Sequence, residues 1–450
     1  MKLAVAVDLG ASSARFALGR LAEGRISYEI IEQIPHHAVE WNGKWTWDSE
    51  TLLGLCRRAA DYAHGLEVPC TIGIDSWGVD HGFVSPDGKL LQPPVCYRDE
   101  SNTRAAESLT EHRPRLYELT GIQYQPFNSI NQLLARTRET PELASESWLL
   151  MPDLLGHLLG GEPFYELTQA STTQLVGLDG KWCDEAFRLI GMPKPNREPE
   201  LPGTLGRALT DRVTPAHVGS HDTASAVCGF GNLQPDQLFL NVGTWALVGC
   251  VLDRPLATAE AREANFTNER CVDGRVRFLK NVSGFYIVNR LHEELGVKAP
   301  ISEWLNGAGT PALGEGELFD VQDEALYAPA SMVAACSKLL GTAPVTESDW
   351  ARVALQSVVL ANAVQPRILA QLTGREFHSI RVGGGGSQSA DFCQSLADRS
   401  GLTVLAGPAE ATVLGNLAAQ FLAQGAFASW AEAWKTIEAG VTVVCYDPRT

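Results

Sequence analysis

Four stretches carry residues whose types and spacing could do chemistry. In Ser220-His221-Asp222-Thr223-Ala224-Ser225-Ala226, a carboxylate sits among small residues with a helix starting behind it. Such a group can take a proton from an attacking hydroxyl, as phosphoryl transfer to an alcohol requires, a term worth roughly 10²–10⁴ in rate. His221 and Asp222 could instead open a metal-ligand set, but no convincing further His and Asp follow at helical spacing. Asp222 as a plain helix cap is the bland alternative. The second stretch is Val5-Ala6-Val7-Asp8-Leu9-Gly10-Ala11-Ser12-Ser13-Ala14-Arg15-Phe16. It reads as strand, tight turn, strand. The small turn residues let backbone amides approach an anion, Ser12 and Ser13 can add donors, and Asp8 can hold a hydrated magnesium ion. An ordinary hairpin turn explains the same residues.

The third stretch is the four-glycine loop before Ser387-Gln388-Ser389. Consecutive glycines let a flat ring lie against backbone, and the helix after Ser389 could turn its first amides to a phosphate. It is neither the dinucleotide fingerprint nor a P-loop, and a surface turn would read alike. The fourth is Asp75-Ser76-Trp77-Gly78-Val79-Asp80-His81, where carboxylates and an indole could hold a sugar. Trp77 alone reads as core. His36, His37 and His292 are given no role.

Regular elements must position these stretches. Arg25 to Gln33 reads as a third strand, and Trp41 to Trp47 as a Trp-rich connector. Asp48 or Ser49 caps a helix with Leu52, Leu53, Cys56, Ala60 and Ala63 on its apolar face. Pro69 to Ile74 reads as a buried strand, followed by a strand pair split at Pro86-Asp87-Gly88. Leu149 to Gly160 reads as an apolar helix, and the proline-dense run from 193 to 202 as loop. A break at Gly231 to Asp236 divides the chain into domains 1–233 and 234–450. The second half then repeats the opening plan: Leu238 to Val242, the turn Gly243-Thr244, and a returning strand Trp245 to Leu252. A helical region spans about Asp349 to Leu372. Leu402 to Leu405 is a strand and Ala411 to Gln420 an Ala-rich helix. The layout is α/β in both halves.

Bulk properties agree with a soluble two-domain chain. The 450 residues exceed one ordinary core, and 45% hydrophobic with 20% charged residues is a globular balance. A net charge of −17 argues against nucleic acid and anionic membranes as partners. Ten cysteines without a C-x-x-C pair read as reduced, mostly buried thiols of a cytoplasmic protein. Asp8 interrupts the first apolar run, against a secretory signal, and no apolar stretch is expected to reach membrane-span length.

Taken in order, these stretches, with Tyr97-Arg98-Asp99, Gly243-Thr244-Trp245 and Leu279-Lys280-Asn281, resemble the FGGY family of carbohydrate kinases from residue 3 to about 420. Within the family the resemblance leans to members acting on L-rhamnulose, with L-fuculose kinases next. It implies two actin-like domains of the ribonuclease H-like (ASKHA) type, an active-site cleft between them, and phosphorylation of a ketose 1-hydroxyl by ATP with Mg²⁺. On this chain it makes Asp222 the catalytic base and Asp8 the acid organising magnesium through water. It places ATP at Ala11, Ser12, Ser13, Ala14, Arg15, Thr244, Asn289 and Gly385. It places the sugar at Gly78, His221, Asp222, Thr223 and Asn281. Three residues depart from the pattern, all on the ATP side: Ala14 for a Gly, Asn289 for a Gln, and Ser387 for a Cys. The partners implied are the ketose and ATP, in a monomer or homodimer. Two other classes compete: a non-catalytic sugar sensor, which lacks here the basic helix-turn-helix of such repressors, and, more distantly, a metal phosphohydrolase.

Overall fold

The first apolar run is buried on both faces, which makes it a central strand. In the computed structural model, which describes residues 1–327 and 329–449, this is β1 (Lys2–Leu9). It pairs antiparallel with β2 (Ser13–Ala22), which pairs with β3 (Arg25–Pro35). β3 is mostly exposed, and its Arg25, Glu29 and Glu32 suit an edge. The connector expected at Trp41 to Trp47 is a hairpin, β4 (Ala38–Trp41) with β5 (Lys44–Trp47). Asn42 and Gly43 both take positive φ there, 49° and 75°, as a two-residue type I′ turn needs. The helix Ser49–His64 follows; Asp48 caps it, accepting from the Thr51 amide at 3.1 Å. It buries Leu52, Leu53, Leu55, Cys56, Ala59 and Ala63 and returns the chain to β6 (Cys70–Ser76), parallel to β1.

The next two elements differ from expectation. β7 (His81–Val84) pairs with β8 (Ser147–Leu150); the turn expected at Pro86-Asp87-Gly88 forms, with Gly88 N donating to Ser85 O at 2.8 Å and Ser85 N to Lys89 O at 2.9 Å, but the returning segment pairs only at the isolated bridge Val84 to Leu90. Pro93 and Pro94 lack the amides a second strand would donate. The apolar segment read as a helix from Leu149 is β8 up to Leu150, then the helix Met151–Leu158 with Pro152 in its first turn. With β9 (Thr204–Leu205) and β10 (Val213–His217), the first sheet is ordered β3-β2-β1-β6-β10-β9.

The plan then recurs. β11 (Gln237–Val242) and β12 (Trp245–Leu252) are antiparallel. After β13 (Thr267–Arg270) and β14 (Val276–Ser283), β15 (Ser379–Gly383) runs parallel to β11, β16 (Thr403–Ala406) parallel to β15, and β17 (Val444–Tyr446) antiparallel to β16. The chain forms two compact units. The first comprises Met1–Asn232, Leu252–Phe278 and Thr412–Gly440; the second comprises Leu233–Val251, Leu279–Ala411 and Val441–Thr450. A single cut at 233/234 does not describe this division, because two later segments return to the first unit.

The returning helix Ala411–Ala423 shows why. Gln420 Nε2 donates to Val5 O at 3.0 Å, and Thr71 Oγ1 donates to Gln420 Oε1 at 2.7 Å. Gln424 Nε2 donates to Leu3 O at 2.8 Å, and Asn416 Nδ2 to Asp75 Oδ2 at 2.5 Å. Asn416, Gln420 and Gln424 share one face at a spacing of four, and that polar face lies on β1 and β6. A Cβ on Gly415 would come within 1.8 Å of Ser225 O, so glycine lets this helix cross Asp222–Gly229 backbone to backbone.

One expectation is corrected. The helical stretch Glu347–Thr373, 27 residues, is long and apolar enough to cross a membrane. The model buries 67% of its most apolar window, and the helix Glu347–Ala363 puts Trp350, Leu355, Val358 and Val359 into the core of the second unit. Its apolarity is accounted for by packing. All ten cysteines are free, and eight are buried, as read from their scatter.

Candidate active site

Strand pairing puts two acids side by side in the first unit. Asp8 faces Asp75 in the parallel register of β1 and β6, and Arg15 in the antiparallel register of β1 and β2. Arg15 Nε and Nη2 donate to Asp8 Oδ2 at 3.0 and 2.7 Å. Asp75 is fully buried. Burial first, then the Asp8 charge, hold its carboxyl well above the usual range, against the hydrogen bond from Asn416. Among the described residues, no hydrogen bond reaches Asp75 Oδ1. The turn between β1 and β2 is closed by Gly10 N donating to Ser13 O at 2.9 Å. His36 pins it from outside: Nε2 donates to Gly10 O at 2.6 Å.

Asp222 opens the helix Asp222–Gly229, and the cap position belongs to His221, so the capping alternative fails. The Asp222 side chain is 27% exposed and accepts from Thr223 Oγ1 at 3.0 Å. Desolvation raises its pKa, with His221 opposing and Asp8 adding to the rise. Glu166 fixes the strand end before it. That buried carboxylate accepts from Ser220 N at 3.1 Å and Oγ at 2.8 Å, and from the amides of Thr168 and Gln169 at 2.9 and 3.0 Å. Ser76 N donates to Ser220 O at 2.9 Å, tying this segment to β6. A Cβ on Gly78 would lie 3.2 Å from His221 Nε2 and 3.3 Å from Thr172, so Gly78 faces His221. Gly78, His221, Asp222 and Thr223 are thus brought together in the first unit.

The residues beside Gly78 are structural. Asp80 is fully buried and accepts from Trp47 Nε1 at 2.5 Å, Trp77 Nε1 at 2.8 Å and Gln132 Nε2 at 2.8 Å. Trp77 packs on Trp47, ring centroids 4.2 Å apart, so the core reading of Trp77 holds and the sugar-stacking one does not. Val79, between Gly78 and Asp80, has φ 70°, a strained value for a β-branched residue that costs about 1–3 kcal/mol. Thr172 Oγ1 holds its amide at 3.2 Å, and Ser129 and Gln132 bond its carbonyl. A cavity of about 320 Å³ is lined by Asp153, Phe164, Glu166, His217 and Ser220; Gly78, His221, Asp222 and Thr223 do not line it.

The second unit gathers other candidates. Phe285 N donates to Gly243 O at 2.9 Å, and Gly284 N and Tyr286 N to Thr244 O, each at 3.2 Å. A Cβ on Gly284 would sit 2.6 Å from the Trp245 backbone, so only glycine lets this segment close on the turn. Asn289 is exposed, one turn into the helix Tyr286–Glu294. In the glycine loop, Gly384 has φ +70° and a Cβ there would meet Val242 O at 2.6 Å, whereas a Cβ on Gly385 would meet nothing within 4 Å. Gly385 is therefore an open position beside the β11–β12 turn. Ser389 caps the helix Ala390–Ser400 through the Phe392 amide. Asn281 lies on β14 in this unit, beside Lys280, whose pKa burial lowers. The side chains no site assignment had foreseen are Asp75, Glu166, Glu269, Arg277 and Asn416. Of these only Asp75 is anticipated by the sequence, as a strand-end carboxylate able to hold a sugar; its place beside Asp8 follows from the pairing of β1 and β6.

Comparisons with known proteins agree with this layout. The model of the FGGY family of carbohydrate kinases, N-terminal domain, matches residues 3–206, and that of its C-terminal domain matches residues 238–424. A rhamnulokinase of Enterococcus faecalis is 34% identical over 448 residues, 94% of this chain and 89% of that protein. A rhamnulokinase of Bacteroides thetaiotaomicron is 33% identical over 467 residues, 99% of this chain and 95% of that protein. A ligand-bound xylulose kinase from Lactobacillus acidophilus matches with a TM-score of 0.81 at 15% identity, covering 100% of this chain and 94% of that one. Plasmodium falciparum glycerol kinase with ADP matches at 0.78 and 15%, with the same coverage. The structures share the two-domain, actin-like α/β fold.

Proposed function

Because the chain belongs to the FGGY family of carbohydrate kinases, we propose that it transfers the γ-phosphoryl group of ATP to the 1-hydroxyl of L-rhamnulose. The observation that carries the reading is Asp222: a partly open carboxylate at a helix start, beside His221 and Gly78, with its basicity raised by burial. The two rhamnulokinase relatives supply the sugar.

In this reading Asp222 accepts the proton of the sugar hydroxyl as its oxygen attacks the γ-phosphorus and ADP departs. Gly78, His221, Thr223 and Asn281 hold the sugar. The absence of a side chain at Gly78 leaves His221 Nε2 uncovered on that side. The turn Ala11 to Arg15 and Thr244 hold phosphate oxygens, and Asn289 and Gly385 the rest of the nucleotide; the open face at Gly385 suits a flat base. The sugar is assigned mainly to residues of the first compact unit, and the nucleotide to the turn Ala11 to Arg15 together with residues of the second. Hard oxygen donors near Asp8, with the partnerless Oδ1 of Asp75, fit a hydrated Mg²⁺. When bound, the ion offsets negative charge on the phosphates.

A coupled ADP-release assay over L-rhamnulose, L-fuculose, L-ribulose and D-xylulose tests the proposal. L-Rhamnulose is expected to give the highest kcat/KM. A higher value for another ketose would reassign the sugar, and sugar-independent phosphate release would overturn the kinase chemistry.

A further inference from the structure

Packing does not explain the strained backbone of Val79. Its side chain belongs to the core of the first unit, but burying an isopropyl group does not require a positive φ. The Asp80 amide donates to Gly78 O at 2.9 Å, closing a ring across Val79. With φ 70° at the central residue this is a γ-turn of the rare, strained kind. Such a conformation persists only where its surroundings over-determine it, and it collects at functional sites.

The surroundings pair almost every backbone group of this segment. Trp77 N donates to Leu9 O at 3.3 Å, and Trp77 O accepts from Gln169 Nε2 at 2.8 Å. Gly78 O accepts from Asp80 N, as above. Val79 N donates to Thr172 Oγ1, and Val79 O accepts from Ser129 Oγ and Gln132 Nε2. Asp80 O accepts from Met151 N at 3.0 Å. Among the described residues, the one backbone group from Trp77 to Asp80 that no hydrogen bond reaches is the Gly78 N–H. Trp77, Val79 and Asp80 are buried, whereas Gly78 is partly exposed. Backbone donors inside a protein are nearly always paired. An open amide beside His221 Nε2 is therefore a donor suited to a ligand oxygen.

We propose that Val79 is a positioning residue, whose strained turn holds the Gly78 N–H as a hydrogen-bond donor to the ketose. The role rests on the reading that places the sugar beside Gly78 and His221. Gln169 holds the Trp77 carbonyl, and in a trans peptide the Gly78 N–H points the opposite way. The γ-turn draws the next carbonyl back onto Asp80. Gly78 has no side chain to restrain its own torsions, so its rigid neighbour does so. A glycine at 79 would relieve the strain but leave two freely turning residues in succession.

Trp77-Gly78 is the one Trp-Gly pair in the sequence. Full-length protein carrying ¹³C-carbonyl tryptophan and ¹⁵N-glycine therefore gives a single carbonyl-linked amide signal, that of Gly78. The probe is L-rhamnulose, or whichever ketose of the assay above has the highest kcat/KM. Saturating ketose is expected to move the Gly78 proton downfield and slow its exchange with solvent. Val79→Gly should raise KM for the ketose roughly tenfold, the order of one lost hydrogen bond, with KM for ATP within about twofold. Val79→Ile, also β-branched, should keep the wild-type KM. A merely structural Val79 would lower the thermal midpoint of the glycine variant and leave both KM values alone, overturning the proposal. A Gly78 signal that ignores a ketose the wild type turns over also overturns it, without any variant, and leaves the kinase reading standing. If no ketose of the panel is turned over, the kinase reading itself falls and this role falls with it.

Discussion

Asp222 must be ionised to accept a proton, and burial holds its carboxyl above the ordinary carboxylate range. Turnover should therefore fall as pH drops through that raised value, beginning at a higher pH than for a free carboxylate; a kcat profile in saturating ATP and sugar measures it. Asp222→Asn should cost at least about 10²-fold in kcat while nucleotide binding, read by calorimetry, persists. Asp80 gives a stability counterpart. Burial lifts it to about 6, despite the hydrogen bonds from Trp47, Trp77 and Gln132. Its folded value lies above its unfolded one, so the folded protein binds the extra proton. Stability from this group is full below about pH 4 and is lost as pH rises through about 6, a swing of about 3 kcal/mol. Asp80→Asn should flatten the thermal midpoint over that window. At this scale the sequence displays Asp8 and Asp222 because each sits in a short, local pattern. Glu269 and Arg277 are invisible there: they reach His221 from about 50 residues downstream, by strand placement alone.

Elements show the same division between local and distant causes. The opening hairpin, the capped helix after Asp48 and the repeated plan at β11 and β12 follow from nearby apolar runs and turn residues. The β4–β5 hairpin is equally legible in Asn42-Gly43, a pair suited to a type I′ turn. The partner of β7 was not legible, since β8 lies some sixty residues on and the nearer candidate is spoiled by two prolines. The polar face of the helix Ala411–Ala423 is a similar case, because an Ala-rich sequence advertises packing and not three amides bonded to strand backbone. That face supplies a prediction. Asn416→Leu leaves the buried Asp75 without the donor at 2.5 Å and should destabilise the protein by roughly 1–3 kcal/mol in urea titration. Gln424→Leu, whose residue is only partly buried, should cost less.

At the scale of the whole molecule, chain length and the order of strands and helices pointed to a two-part α/β chain, yet a linear boundary conceals how the parts are made. The first unit needs Leu252–Phe278 for Glu269 and Arg277, and Thr412–Gly440 for the amides under β1 and β6. A fragment of residues 1–233 should accordingly lack a cooperative thermal transition by near-ultraviolet circular dichroism. A sharp melt for that fragment would show the later segments to be dispensable.

The late return of Thr412–Gly440 also sets an order of events on the ribosome. Translation at about 5–20 residues per second leaves roughly 10–40 s between the emergence of Asn232 and of Gly440. Throughout that interval the nascent amino-terminal sheet waits with its Asn416 and Gln420 sites unfilled, an open target for chaperones and proteases. Chains stalled before residue 412 should be cleaved readily within β1 and β6, and chains released at full length should resist.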